Sequence, residues 1–254
     1  MKRLKMIRTL ILLSCVATMA QAQNDKGTFS IKPMAGVNVS TFSGGIVSDL
    51  YHTKAGFTAG MEAEYGINNW LGLSLGLIYS QQGAKVDGDL GIVFTDASTG
   101  KLGYMVTHND GKINCDYLNL PLMANFYIPA IPGLSLTTGI QMGILVNDKM
   151  KMTMDAAIFY DYVFEQTEIN YEPYEWVLQD NSNPSTLFRH QEYSTTDICK
   201  SIDFGIPIGL SYEYKNVTLD ARYYFGLTKL DKTEDPENTR NRCLSITLGY
   251  RFHL

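Results

Sequence analysis

Long apolar runs are missing from this chain beyond its first twenty-two residues. No later segment offers the roughly 18 uninterrupted apolar residues a spanning helix needs. Histidine is scarce, with four residues (His52, His108, His190, His253) scattered and none at metal-ligand spacing. Three of them fall in predicted connections. Cysteine is scarce too: four in 254 residues, one of them within the leader. Charge is low, at 19% Asp, Glu, Lys and Arg. No phosphate loop, dinucleotide fingerprint or nucleophile beside a base is present, so no catalytic residue and no cofactor is expected. Asp87-Gly88-Asp89 resembles the start of a calcium loop but lacks the bidentate Glu that would complete it, and reads as a turn.

The basic residues are unevenly spread. All four charges of the first 24 residues are basic (Lys2, Arg3, Lys5, Arg8), followed by the apolar stretch Leu10 to Ala20 and the small-x-small site Ala20-Gln21-Ala22. This pattern is that of a secretory signal peptide over residues 1–22, cut after Ala22. Cys15 raises a lipoprotein alternative, which the bulky Leu13 disfavours. Removing the leader leaves 17 basic and 26 acidic residues, a balance that repels nucleic acid.

Apolar content is 45%, and Tyr (16) and Gly (22) are abundant. Residues 23–254 alternate with a period of two almost throughout. Leu71, Leu73, Leu75, Leu77 and Tyr79 stand against Gly72, Ser74, Gly76, Ile78 and Ser80. Eight strands are expected, at 28–40, 53–65, 70–82, 113–128, 134–148, 200–214, 217–228 and 242–253. Short connections (66–69, 129–133, 215–216) alternate strictly with longer ones (41–52, 83–112, 149–199, 229–241). Such alternation is the mark of an all-β, eight-stranded antiparallel up-and-down transmembrane barrel, with short periplasmic turns, long extracellular loops and both ends in the periplasm. A soluble lipocalin-like barrel also alternates, but would bury the apolar face.

The polar face carries Lys32, Glu62, Glu64, Asp203, Glu213, Asp220, Arg222 and Arg251. An eight-stranded lumen is filled by side chains, so these charges are expected to pair there, with Arg222 and Arg251 each meeting an acid. Tyr65, Trp70, Phe126, Tyr127, Tyr212, Tyr214, Tyr250 and Phe252 are expected to form an aromatic girdle on the periplasmic side. Cys115, Cys199 and Cys243 share lumen-facing parity near extracellular strand ends. Three thiols permit at most one internal pair, and connectivity is not readable.

Segment 149–199 is rich in acids (Asp155, Asp161, Glu165, Glu168, Glu172, Glu175, Asp180, Glu192, Asp197) and aromatics (Phe159, Tyr160, Tyr162, Phe164, Tyr171, Tyr174, Trp176, Phe188, Tyr193). It reads as a strand extension beyond the membrane, favoured by the even-numbered Met150, Met152 and Met154, or as a recognition surface for glycan, peptide or protein.

Several segments together resemble the PorT-like outer-membrane β-barrel family. They are Gly56-Phe57-Thr58-Ala59-Gly60 with Glu64-Tyr65, Leu73 to Lys85, Tyr117-Leu118-Asn119-Leu120-Pro121-Leu122, Asp203-Phe204-Gly205, Ala221 to Thr228 and Gly249-Tyr250-Arg251-Phe252. Asn119 stands where members often carry an acid, and segment 149–199 is unusually long. The resemblance implies an eight-stranded barrel in the outer membrane of a Gram-negative bacterium, and suggests a possible accessory role in secretion or envelope assembly. The ending Thr247-x-Gly249-x-x-Phe252-x-Leu254 resembles the signal read by the barrel-assembly machinery, with Leu254 in place of the usual aromatic. The expectation is a monomeric, non-enzymatic barrel. Its partners would be outer-membrane lipid, the assembly machinery and a surface ligand or secretion component, with no nucleic acid.

Overall fold

The computed structural model describes residues 26–45, 47–160, 169–170, 186–230, 232 and 239–254. Residues 1–22, expected to be a signal peptide, and much of the aromatic, acidic centre of segment 149–199 lie outside the described residues.

The strands in chain order are β1 (Phe29–Ser43), β2 (Tyr51–His52), β3 (Lys54–Asn68), β4 (Leu71–Thr95), β5 (Leu102–Tyr127), β6 (Leu134–Phe159), β7 (Ile169–Asn170), β8 (Thr186–Thr195), β9 (Ile202–Tyr214), β10 (Val217–Gly226), β11 (Arg240–Tyr250) and β12 (Phe252–His253). A single short 3-10 turn, Ser48–Leu50, is the only helical element among the described residues. Eight staves, in the order β1, β3, β4, β5, β6, β9, β10 and β11 with its continuation β12, pair antiparallel with their neighbours. The ring closes between first and last, with Met34 opposite Gly249 and Ser43 opposite Arg240. Closure pairs both edges of each stave within the ring, as a bilayer requires, because lipid cannot hydrogen-bond a bare backbone.

The turns follow from their residues. Lys215 and Asn216 join β9 to β10 with φ of 48° and 68°. That left-handed pair makes the tight hairpin turn whose twist matches the flanking strands, and asparagine tolerates it well. The Asn216 side chain also donates to the Arg251 carbonyl at 2.9 Å, tying the turn to the chain's end.

The faces are inverted relative to a soluble barrel. Along β9 exposed Ile202, Phe204, Ile206, Ile208, Leu210, Tyr212 and Tyr214 alternate with inward Asp203, Gly205, Pro207, Gly209, Ser211 and Glu213. Leu248 is 60% exposed, whereas Asp220 is 1% exposed. In water this would forfeit the main favourable term of folding. In lipid it is the required arrangement, and it overturns the lipocalin-like alternative.

Three staves are longer than expected. β4 runs to Thr95 instead of ending near 82, and β5 starts at Leu102 instead of 113. Segment 83–112 is therefore not a loop but a hairpin extension. Its register is continuous from Lys85 opposite Lys112 to Thr95 opposite Leu102. β6 likewise continues to Phe159, and β8 pairs with its distal part, Lys151 meeting Ser194. The expectation of a strand extension thus holds for 149–159. The histidines expected in connections stand on strands: His52 on β2, His108 on β5 and His190 on β8. Asp87-Gly88-Asp89 is strand as well, not a turn.

Candidate functional site: a filled lumen beneath an extended sheet

The lumen charges gather in two clusters. In the first, Lys32 on β1 places Nζ 3.0 Å from Glu62 Oε2 and 3.0 Å from Asp220 Oδ1. Arg222 donates through both terminal nitrogens to the Glu62 carboxylate, with Nη2 to Oε2 at 2.8 Å, and reaches Asp220 Oδ1 at 3.3 Å. Two cations thus share two anions contributed by β1, β3 and β10. The fork of Arg222 suits a carboxylate that must be held from two sides.

In the second cluster Arg251 donates to Glu64 Oε2 at 2.7 Å and to Ser30 Oγ at 3.1 Å. Its Nε lies 2.7 Å from Glu213 Oε2. The Tyr127 hydroxyl donates to Glu64 Oε1 in a short bond. Tyr127 was expected in the aromatic girdle; instead it is buried and faces inward, because odd-numbered residues of β5 point to the lumen. The parity of Asn125 and Met123 carries that signal. The remaining girdle members are exposed or half-buried, and Trp70 stacks on Phe126 at 6.3 Å.

Asp203 stands apart from both clusters. It is buried, and it accepts from Asn241 Nδ2 at 3.4 Å rather than from an arginine. Beside the first cluster remains a cavity of about 40 Å³ bordered by Thr58, Ser80, Gln82 and Arg222. That volume holds a few waters and not a path for solute.

The four residues expected to form an assembly signal divide by face. Thr247 is buried in the lumen and Gly249 packs against Thr218, Pro33 and Lys32, where a Cβ would meet Thr218 Oγ1 at 2.7 Å. Phe252 and Leu254 point outward, exposed by 50% and 76%. The Leu254 amide donates to the Phe29 carbonyl, so the end of the chain completes the seam with β1.

Above the lipid-facing belt the lumen changes character. Phe42, Leu50, Ala84, Val86, Ile113, Cys115, Tyr117, Cys199 and Leu230 form a buried apolar core, with Met150 and Met152 packed against it. This core caps the mouth at the end where β4, β5 and β6 extend. A second, smaller core of Tyr104, Val106, Ala157 and Phe159 lies nearer the hairpin tip. Outward residues at this level are hydrophilic: Lys85, Asp87, Lys112, Asp110, Lys149 and Lys151. A groove beside them is lined by Lys112, Lys149, Lys151, Glu192 and Tyr193. Sequence reasoning missed both cores, since Ala84, Val86, Tyr104 and Val106 fell in what read as a loop.

The histidines do not converge. His108 Nδ1 lies 2.7 Å from Asp89, His190 Nδ1 3.1 Å from Asp155, and His253 Nε2 3.7 Å from Glu213, while His52 meets the Asp87 carbonyl. At the tip the Asp96 carboxylate accepts from the Ser98 amide and hydroxyl, the Thr99 amide and Tyr160. These donors, the Ser98 hydroxyl foremost, hold its carboxyl well below the usual carboxylate range.

Comparison with known proteins agrees on the class. Structurally the chain is similar to Ail, the attachment invasion locus protein of Yersinia pestis, at 16% identity and a TM-score of 0.37, covering 89% of this chain and 99% of that one. It is similar to Neisserial surface protein A at 16% identity and a TM-score of 0.33, covering 88% and 97%. It is also similar to OprG of Pseudomonas aeruginosa at 12% identity and a TM-score of 0.34, covering 92% and 99%. No curated protein matches the sequence significantly. The family model described as outer membrane protein beta-barrel domain matches residues 20–232. With its closed ring of eight staves and its apolar outer wall, the chain belongs to that outer-membrane β-barrel family.

Proposed function

We propose that this protein is a sealed, non-enzymatic outer-membrane anchor that carries a rigid β-sheet to the cell surface for binding. The observation that supports the reading is the capped mouth: an apolar core fills the barrel where β4, β5 and β6 leave the belt, and those staves continue outward as paired strands. A channel would need an open bore at this level. In this reading the extended end is extracellular, the short turns and both termini are periplasmic, and the lumen ion pairs serve stability. The terminal residues Thr247, Gly249, Phe252 and Leu254 serve recognition by the assembly machinery.

Two measurements test it. Purified protein in planar lipid bilayers is expected to give no stable conductance steps; regular steps would overturn the sealed reading. A variant with Val86–Gly111 replaced by a two-residue turn should still insert and resist heat in detergent. It should lose any glycan-array binding shown by the intact protein. Undiminished binding by the shortened variant would remove the sheet from the proposal. The PorT-like resemblance supports a second reading, an accessory to secretion or envelope assembly. Loss of surface-exported proteins in a deletion strain would favour it.

A further inference from the structure

The apolar cap holds two thiols. Cys115 stands on β5 and Cys199 in the segment that leads from β8 back into β9. Their sulfurs are 3.0 Å apart, inside the ordinary contact distance of two sulfur atoms, and Cys115 is wholly buried while Cys199 is 5% exposed. The approach is not incidental. Asp148 is directly opposite Cys115 in the β5–β6 register. The same Asp148 accepts the backbone amide of Cys199 at 2.8 Å. On either side of the pair the Lys200 amide donates to Leu230, and the Leu145 amide donates to Ser201. One carboxylate and flanking backbone bonds therefore fix both cysteines face to face. Cys243 is also buried, but its near neighbour is Ser245, at 3.7 Å, and not a thiol.

We infer that Cys115 and Cys199 are joined by a disulfide in the mature protein, and that Cys243 remains a thiol. Disulfides persist in the oxidising compartments through which an outer-membrane protein passes. The oxidant is a dithiol–disulfide oxidoreductase of the envelope. One thiolate of the pair attacks the oxidant's disulfide and forms a mixed disulfide, releasing one oxidant thiol. The second cysteine gives up its proton and attacks the mixed bond. One S–S bond forms in this chain and one is lost in the oxidant, which leaves with two electrons and two protons as a dithiol. Burial fixes the order of events. A protein oxidant cannot reach sulfurs sealed beneath Phe42, Leu50 and Leu230, so the bond forms before the cap packs. Once packed, the cap shields the bond from reductants.

The bond closes a loop of chain that takes in the rest of β5 and all of β6, β7 and β8. It thereby clamps the return of the extracellular segment to β5, at the boundary where the barrel leaves the lipid.

Full-length protein extracted from outer membranes without reductant, denatured in iodoacetamide and mapped by mass spectrometry, tests this. The expected result is one linked peptide pair, Cys115 with Cys199, two hydrogen masses lighter than its reduced form, and a single alkylated cysteine, Cys243. In Cys243→Ser the link should persist and no cysteine should alkylate before reduction. In the folded wild type, dithiothreitol should leave the link intact until denaturant is added. Three alkylated cysteines would overturn the inference, as would a link that includes Cys243. Three thiols together with a stoichiometric thiophilic metal in the extracted protein would instead make Cys115, Asp148 and Cys199, whose ligand atoms lie within 4.8 Å of one another, a metal site.

Discussion

The same strands run through two regions with opposite interiors. Within the lipid belt β4 turns Leu73, Leu75 and Leu77 outward and Ser74, Ser80 and Gln82 inward. A few residues later it turns Lys85 and Asp87 outward and Ala84 and Val86 inward. Neither the alternation nor the register with β5 breaks between them. What changes is the solvent outside. Against lipid, the polar face must be hidden and satisfied by partners, as in the Lys32–Glu62–Asp220–Arg222 cluster. Against water, the apolar face must be hidden, as in the cap. The switch from polar to apolar lumen residues thus marks the edge of the lipid belt on the side of the long hairpin.

The sharpest way to break this comparison is to strip the lumen of one charge. Arg222→Met should cost about 3–5 kcal/mol, because the buried Glu62 and Asp220 then share only Lys32. Urea unfolding in lipid vesicles would measure it, and the double variant with Glu62→Gln should regain part of the loss. Next in size, Leu75→Arg should cost about 2–4 kcal/mol, since Leu75 faces the bilayer. Ser74→Asn, one residue away in the lumen, should be milder, and Asp87→Arg, on the same outward face above the belt, should change stability by less than about 0.5 kcal/mol. Equal damage at Leu75 and Asp87 would mean the boundary is misplaced.

Within the cap, Ile113→Ala should cost about 2 kcal/mol through a cavity. The loss should appear as faster hydrogen exchange in the distal halves of β4 and β5, with the belt unaffected. The smallest effect is at the tip. The Asp96 carboxyl is depressed, so its contribution is full above its unfolded pKa of about 4 and is lost as pH falls toward the lower folded value. The protection of the Ser98 and Thr99 amides, taken relative to intrinsic exchange at each pH, should therefore fall at acid pH, and Asp96→Asn should abolish that fall.

The belt was legible because lipid demands a strict pattern. Leu71 to Ser80 and Leu244 to Phe252 announce their strands with no help from the fold. The extension was not legible, since Val86-Asp87-Gly88-Asp89-Leu90-Gly91 is rich in residues that favour turns. Only cross-strand pairing and the cap make it a strand. The lumen acids and bases could be named from parity, but parity cannot say which meets which. That depends on strand stagger, which brought Glu62 to Arg222 and left Asp203 with Asn241. The thiol pair depended on a return segment with no pattern of its own. Tyr127 was misplaced for the opposite reason, when an aromatic near a strand end outweighed its own parity.

From Lys85 to Thr95 the hairpin rises ten residue steps, roughly 33 Å of strand length at 3.3 Å per residue. That is comparable to the thickness of the bilayer's hydrocarbon core. A flexible loop of equal length would coil back toward the membrane and lose height to its own entropy. A paired hairpin braced by β6 keeps its tip at a set elevation, clear of the lipid headgroups. Whatever meets Asp96 and Tyr160 therefore meets them at a stand-off from the bilayer, and shortening the hairpin by whole residue pairs would lower that meeting point in steps of about 7 Å of strand per two residues.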